Sequence, residues 1–437
     1  MTSAELDEYI SQLKSRGSRP GLLAVSALAQ KLGDPQKGLC AVHIAGTNGK
    51  GSVLAYLTAV LKAAGVKSGC FYSPAMHDER ETVCVGGRQI SQRSWNAYWE
   101  KIKAAEEALG AEGAELPTFF EALCVLAFMY FKDKGCEAVV VECGMGGAED
   151  ATNILTDTKV CVFAPIALDH MGFLGSTIEA IAETKSGIIK AGAAVVSARQ
   201  EPAVSRILKE KAEKQGCSFA QAEQPDKIHY SLNGTRFELK PYGSIRISLT
   251  GAYQPANAAL AVKAAEALRE KGFKISDKAL KEGLKAAQWY GRFSVLEKNP
   301  CIIADGAHNE AGALALKQSL DIYFPEGGYI LVMGVLRDKE YEKIISILSG
   351  GASHLLTLTP PGNPRALDGY ELAECGAGYI PNTTAAGSVE EALEMALLLS
   401  GGERAVIACG SLSWLYAFRI AVENRRKFKK KEQKDGR

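Results

Sequence analysis

A chain of 437 residues exceeds what one ordinary hydrophobic core fills, so two or three domains are expected. Its composition, 47% hydrophobic and 23% charged, is that of a soluble globular protein, and no apolar run approaches the roughly 20 residues of a membrane span. A formal net charge of +1 gives no electrostatic ground for nucleic acid or an anionic membrane as partner, although the stretch from Arg425 to Lys431 is locally basic and reads as a solvated end. The 11 cysteines form no Cys-x-x-Cys pair, and Cys40, Cys143, Cys161, Cys301 and Cys409 sit in apolar, strand-like runs. They read as buried, reduced thiols rather than a disulfide framework or a zinc site. The acidic start, Met1 to Glu8, lacks the basic-then-apolar pattern of a signal peptide, so the expected location is cytoplasmic.

In chain order, residues 4 to 16 fit a short amphipathic helix and 22 to 32 a second, with a turn at Arg19 to Leu22 between them. The apolar run Cys40 to Ile44 then leads into Gly46-Thr-Asn-Gly-Lys-Gly-Ser52 and a helix-like segment from Val53 to Ala64. Strand, glycine loop and helix are in the order a phosphate site needs. Gly46, Gly49 and Gly51 allow close backbone approach, so that N–H groups and the helix N-terminus can face phosphate oxygens. Lys50 adds a full charge and Ser52 a hydroxyl for magnesium, while Thr47 and Asn48 lie inside the loop. The match to the usual P-loop is imperfect: Ile44 stands where that pattern has its first glycine, and Gly51 separates the lysine from the hydroxyl.

Further on, a strand at 68 to 72 leads to Ser73, a small hairpin follows at 83 to 90, and a helix at about 92 to 109. Thr118 to Lys134 reads as an apolar helix opened by a capping box, Thr118 with Glu121. Ala138 to Cys143 and Val160 to Ile166 are near-continuous apolar runs and so strands buried on both faces. A helix from Thr177 to Lys190, capped by Ser176 and Glu179, a strand at 195 to 196 and a helix at 202 to 215 continue the alternation. One doubly wound, mostly parallel α/β unit therefore covers about the first 220 residues. Short strands follow from 217 to 250, with Asn233-Gly234 as a hairpin turn, then helices at 256 to 271 and 277 to 287. Trp289 to Phe293 marks the junction to a second, smaller, Rossmann-like α/β domain with strands at 301 to 304, 329 to 333, 354 to 358 and 405 to 409. The expected division is 1–291 and 292–437.

The loop Gly46 to Ser52 resembles that of the Mur ligase superfamily, most closely folylpolyglutamate synthase and dihydrofolate synthase. The similarity recurs in Thr118 to Leu123, Asp150 to Asn153, Leu168 to His170, Glu183 to Lys190, Gly291 to Phe293, Asp305 to Asn309 and Cys409 to Ser413. The resemblance implies ATP- and Mg2+-dependent ligation of L-glutamate onto a folate or dihydropteroate carboxylate, through an acyl phosphate, in a site between two domains. It implies magnesium ligands at Ser52, Ser73, Glu142 and His170, and a carbamate on Lys185, whose amine would need a lowered pKa. It places the nucleotide on the loop, Asn257, Arg292 and Asp305, with His308 near the phosphates. It assigns the acceptor to the region of Thr118, Phe120, Glu121, Asp150, Thr152 and Asn153, although capping explains Glu121 equally well. Read alone, Glu142 is a strand-end carboxylate, His170 a loop histidine and Lys185 a solvated helix lysine. Ala148, Thr82 and Tyr253 depart from the Arg, Arg and His usual in that family, Ala75 from an often-seen His, and Glu149 from an apolar residue. Two readings stay open: a ligase acting as a monomer, on folates or on another Mur-type acceptor, and a non-ligating ATP-binding protein.

Overall fold

The computed structural model describes residues 1–169 and 171–435. Two compact units form: Met1–Pro225 with Leu239–Ile245 and Ala256–Ala287, and Asp226–Glu238 with Arg246–Pro255 and Gln288–Arg437.

The first unit is built on strands β1 (Ala41–Ala45), β2 (Ser68–Phe71), β3 (Val83–Val85), β4 (Arg88–Gln89), β5 (Ala138–Glu142), β6 (Thr158–Phe163), β7 (Ala194–Ser197) and β8 (Ser218–Gln221). They form one sheet in the order β4-β3-β2-β5-β1-β6-β7-β8. β1 pairs in parallel with β5 and β6, and β2 with β5, while β3 and β4 run antiparallel at one edge. Every residue of β1 and β5 is buried, as near-continuous apolar runs require of strands covered on both faces. From β1 the chain moves toward β2 on one side, and from β6 it runs outward through β7 and β8 on the other. The order therefore reverses at β1, and a crevice opens there at the carboxyl ends of the strands.

The helix Phe119–Asp133 lies on this sheet with eleven buried residues, and its capping box is formed as the Thr118 and Glu121 spacing predicts. The helix expected from Thr177 to Lys190 is shorter, Ile178–Ser186, and Thr177 rather than Ser176 caps it by accepting the amide of Ala180. The cap shifts because Thr177 is the residue held in extended conformation at the helix start, which is what an N-cap needs.

Strands β9 (Asp226–His229), β10 (Thr235–Leu239) and β11 (Gly243–Ile247) make a three-stranded sheet, with Asn233 and Gly234 in the connection between the first two. The second unit carries β12 (Ser294–Lys298), β13 (Cys301–Ala304), β14 (Tyr329–Met333), β15 (Ala352–Thr357), β16 (Thr383–Ala385) and β17 (Val406–Cys409), ordered β12-β13-β17-β14-β15-β16. β12 is antiparallel and the rest parallel. The two edge strands β12 and β16 were not expected: Ser294–Lys298 is only partly buried, so its apolar signal is weak.

No helix among the described residues is long and apolar enough to cross a membrane, and all 11 cysteines are free thiols.

Candidate functional site

β1 delivers the glycine loop to the crevice. At Gly46 (φ +147°) an added Cβ would lie 2.7 Å from the Cβ of Ala164, so the loop presses against the end of β6. Thr47 donates its amide to the Pro165 carbonyl at 2.8 Å and its hydroxyl to the Ala167 carbonyl at 2.9 Å, and Asn48 donates its amide to Pro165 at 3.3 Å. The Thr47 and Asn48 amides are thus committed to the β6 loop. The helix Lys50–Ala63 follows, and its N-cap, Gly49 (φ +93°), supplies no side-chain bond. An uncapped first turn with its dipole is the part of such a loop that attracts phosphate.

Gly49 is required twice. Its left-handed conformation disfavours any other residue, and a Cβ there would stand 2.7 Å from Oδ1 of Asn257. Asn257 is buried, and its Nδ2 has no partner among the described residues. An orphaned amide nitrogen of this kind, packed against a phosphate-type loop, is a donor suited to a ligand.

Two lysines converge below the loop. Lys50 Nζ donates to the carbonyls of Gly46 and Thr47, both at 3.2 Å, and lies 3.8 Å from Oε1 of Glu142. Lys185 Nζ donates to the same Gly46 carbonyl at 3.0 Å. Burial first, and then the charge of Lys50, lower the Lys185 pKa from 10.5 to about 8. The solvated helix lysine that its spacing alone suggests is therefore a buried amine with ready access to its neutral form. Glu142, at the end of β5, and Ser52, in the first helical turn, are buried residues that offer oxygen ligands. Ser73 follows β2 by two residues at the same end of the sheet, and His170 lies outside the described residues. Among the described residues no three His, Cys, Asp or Glu side chains form a ready metal cage. One carboxylate with hydroxyls still suits magnesium, which is commonly held by one or two carboxylates plus substrate phosphates and water.

The residues expected around the acceptor divide. Phe120 lays its ring over Gly144, whose added Cβ would meet Cζ at 2.5 Å. Thr118 and Glu121 are buried in their capping box, with Glu121 Oε2 accepting the Thr118 amide at 2.8 Å. Asp150, Thr152 and Asn153 are buried too. Asp150 accepts the amides of Met145 at 2.7 Å and Thr152 at 3.0 Å and the Thr152 hydroxyl. Asn153 Nδ2 spans the carbonyls of Ala148 at 2.9 Å and Gly187 at 3.2 Å. The Asp150 and Asn153 side chains hold the Gly144–Ala148 loop, and Thr152 bonds to Asp150. Thr82 is buried and donates to the Glu79 carbonyl at 2.6 Å; Ala148 is half-buried and Glu149 exposed.

In the second unit, Asp305 follows β13. Its Oδ2 accepts the Phe293 amide at 2.7 Å and the Tyr253 hydroxyl at 2.6 Å, and its Oδ1 accepts the Ala307 amide at 2.8 Å. Burial raises its pKa against the pull of these bonds and of Arg292. The neighbouring backbone is bent to fit, with Phe293 at φ +46°. Arg292 Nη1 donates to the Gly291 carbonyl at 2.9 Å, and an added Cβ at Gly306 would lie 2.5 Å from that nitrogen. His308 Nδ1 lies 2.8 Å from the Gly306 carbonyl; since a carbonyl only accepts, Nδ1 carries the proton. The Tyr253 contact was not foreseen, because Tyr253 is 52 residues from Asp305.

Residues 44–265 match the Mur ligase middle domain and residues 291–412 the Mur ligase glutamate ligase domain, which defines the class of the two-unit fold and its loop. The dihydrofolate synthase/folylpolyglutamate synthase of Bacillus subtilis is 34% identical over 410 residues, 91% of this chain and 94% of that protein. The Mycobacterium tuberculosis folylpolyglutamate synthase complexed with ADP superposes with a TM-score of 0.87 at 29% identity, over 97% of this chain and 98% of that one. Escherichia coli FolC in complex with DHPP and ADP gives 0.84 at 29%, over 96% and 98%. The chain belongs to the folylpolyglutamate synthase/dihydrofolate synthase family.

Proposed function

We propose that this protein is an ATP- and Mg2+-dependent carboxylate–amine ligase that joins L-glutamate to the carboxylate of a folate or of dihydropteroate. The observation that carries the reading is the convergence of Lys50 and Lys185 on one carbonyl at the start of the helix that follows the glycine loop, with the Glu142 carboxylate 3.8 Å from Lys50. Family membership supplies the substrate class.

In this reading the amides of the first turn and the Lys50 ammonium hold the β- and γ-phosphates of ATP, and Asn257 meets the nucleotide with its unpaired Nδ2. Ser52, Ser73, Glu142, His170 and a carbamate on Lys185 hold magnesium, which neutralises phosphate charge when bound. The acceptor carboxylate attacks the γ-phosphorus and ADP leaves; the glutamate amine then attacks the acyl carbon and phosphate leaves. Such transfers depend on positioning and charge more than on covalent help from the protein. Lys50 supplies charge where the leaving oxygens gain it, and Arg292 is suited to the same task by its planar fork. Asp305 orders the Phe293 and Ala307 backbone and so sets the place of Arg292 and His308, which approach the nucleotide. Phe120 offers an aromatic face to the pterin, while Thr118, Glu121, Asp150, Thr152 and Asn153 act from within the fold.

We assign residues 1–291 to ATP binding and 292–437 to the glutamate ligase domain, and expect a cytoplasmic monomer. Sedimentation of the purified protein at the mass of two chains would refute the monomer. The deciding assay combines purified protein, ATP, magnesium, glutamate and either dihydropteroate or tetrahydrofolate, read by product mass. A product heavier by one glutamyl unit is expected. If both acceptors fail at millimolar concentration while ATP binds, the folate assignment falls and other Mur-type acceptors are next.

A further inference from the structure

His43 lies at the centre of β1, fully buried among strands, three residues before the glycine loop. Its Nε2 is 2.8 Å from Oγ1 of Thr152 and 3.1 Å from Sγ of Cys143, and its Nδ1 is a buried atom with no partner among the described residues. Burial drives its pKa from 6.5 to about 3, so the ring is neutral.

Counting protons fixes the direction of the chain. Burial raises the Asp150 pKa, opposed by the Thr152 hydroxyl and the amides of Gly144, Met145 and Thr152, all of which donate to the carboxylate; with four donors aimed at it, the carboxylate only accepts. The Thr152 hydroxyl has one proton and has given it away, so toward His43 it accepts. The His43 proton is therefore on Nε2, which leaves Nδ1 as the unpartnered acceptor. The sequence of donors runs from His43 through Thr152 to Asp150 and ends on the loop that follows Glu142.

That loop is in turn fixed to Lys185. The Ala148 amide donates to the Thr184 carbonyl at 2.8 Å, and an added Cβ at Gly147 would stand 2.7 Å from the Lys185 carbonyl oxygen. Asn153 joins Ala148 to Gly187 from the other side. One buried polar network thus connects β1, which carries the phosphate loop, to the Glu142 loop and the Lys185 turn.

We propose that His43 is a positioning residue for the ligase reaction: by donating to Thr152 it locks the Asp150 clamp on the Gly144–Ala148 loop and so sets Glu142 and Lys185 against the phosphate loop. This rests on the ligase reading given above. A ring that is neutral at working pH suits the task, because a charged imidazole would take up the orphaned Nδ1 position as a second donor with nothing to receive it.

The test compares His43→Leu, His43→Gln, Thr152→Val and, as a packing control on the same strand, Val42→Ala. Gln can place an amide N–H near the Nε2 position, whereas Leu cannot. His43→Leu and Thr152→Val should each lower kcat at least about tenfold with the ATP KM within about threefold, since sub-ångström misplacement of reacting groups carries penalties of this order. His43→Gln should recover most of the loss, and the double variant His43→Leu/Thr152→Val should be no worse than either single one. Hydrogen exchange at residues 144–148 and 184–187 should quicken in His43→Leu but not in Val42→Ala. The proposal is overturned if Val42→Ala loses kcat as much as His43→Leu at equal stability, if Gln does no better than Leu, if the two losses multiply, or if exchange at those segments is unchanged. Failure of the ligase reading shows separately, as absence of product with the unmodified protein, and the exchange measurement still decides the coupling.

Discussion

Lys50 and Lys185 share an acceptor, the Gly46 carbonyl, but the environment divides their chemistry. Lys50 is part-exposed and ion-paired at 3.8 Å to Glu142. Lys50→Ala should keep the fold and reduce turnover to under about a tenth, because a charge aimed at a transferring phosphoryl group is worth several kcal/mol; steady-state rates check this. Lys185 has its pKa lowered to about 8 by burial and by Lys50. Carbamate formation consumes the neutral amine, whose fraction grows as pH rises through that value. Activation by carbon dioxide at fixed dissolved concentration should therefore increase from pH 7 to pH 9, and Lys185→Ala should be partly rescued by acetate. A flat response to carbon dioxide across that range would rule the carbamate out. In the sequence Lys185 carried only its family resemblance, since burial of a lysine in a polar helix is set by what packs over it.

At the scale of single elements, the loop and its helix were legible because glycine, lysine and serine follow a buried strand. The use of the Thr47 and Asn48 amides by Pro165 was not, because the acceptor belongs to another strand's loop. Gly49→Ala forces a left-handed alanine and a contact at 2.7 Å with Asn257 Oδ1, and should weaken ATP binding by about tenfold or more given strain of roughly 1 to 3 kcal/mol; calorimetric titration reads it. The capping box of the helix Phe119–Asp133 makes a second case, since Thr118→Ala should cost about 1 kcal/mol in chemical denaturation. On the acceptor side, Ala148→Arg should lower the acceptor KM if the added guanidinium reaches the acidic tail. Its partner would be charged, and such a bond is worth roughly 1.5 to 3 kcal/mol. Ala148 packs against Gly187, whose added Cβ would be 2.4 Å from the Ala148 Cβ, so a long side chain must leave on the half-exposed side; an unchanged or raised KM would show that it cannot.

For the whole molecule, ligand linkage gives the broadest check. A protein whose native loop binds ATP with magnesium, and whose unfolded chain does not, gains about 2.7 kcal/mol when the ligand is at a hundred times its Kd. A rise in the unfolding midpoint with ATP and magnesium is expected, reduced in Lys50→Ala; no rise at millimolar ATP would contradict the nucleotide site.

The alternation of apolar strands and capped helices, the glycine loop and the placement of polar motifs after strand ends were all readable along the chain, because period and turn chemistry are local properties. Local spacing could not say which polar residues face a ligand and which face the fold. Asp150 and Thr152 lie in a family motif yet bond to each other inside the fold, and Thr152 meets His43 across 109 residues of sequence. Lys185 reaches the Gly46 carbonyl across 139. Those meetings depend on the order β5-β1-β6, which brings three separate strand ends together. Burial there, absent from any linear pattern, lowers the pKa of one lysine and keeps one histidine neutral.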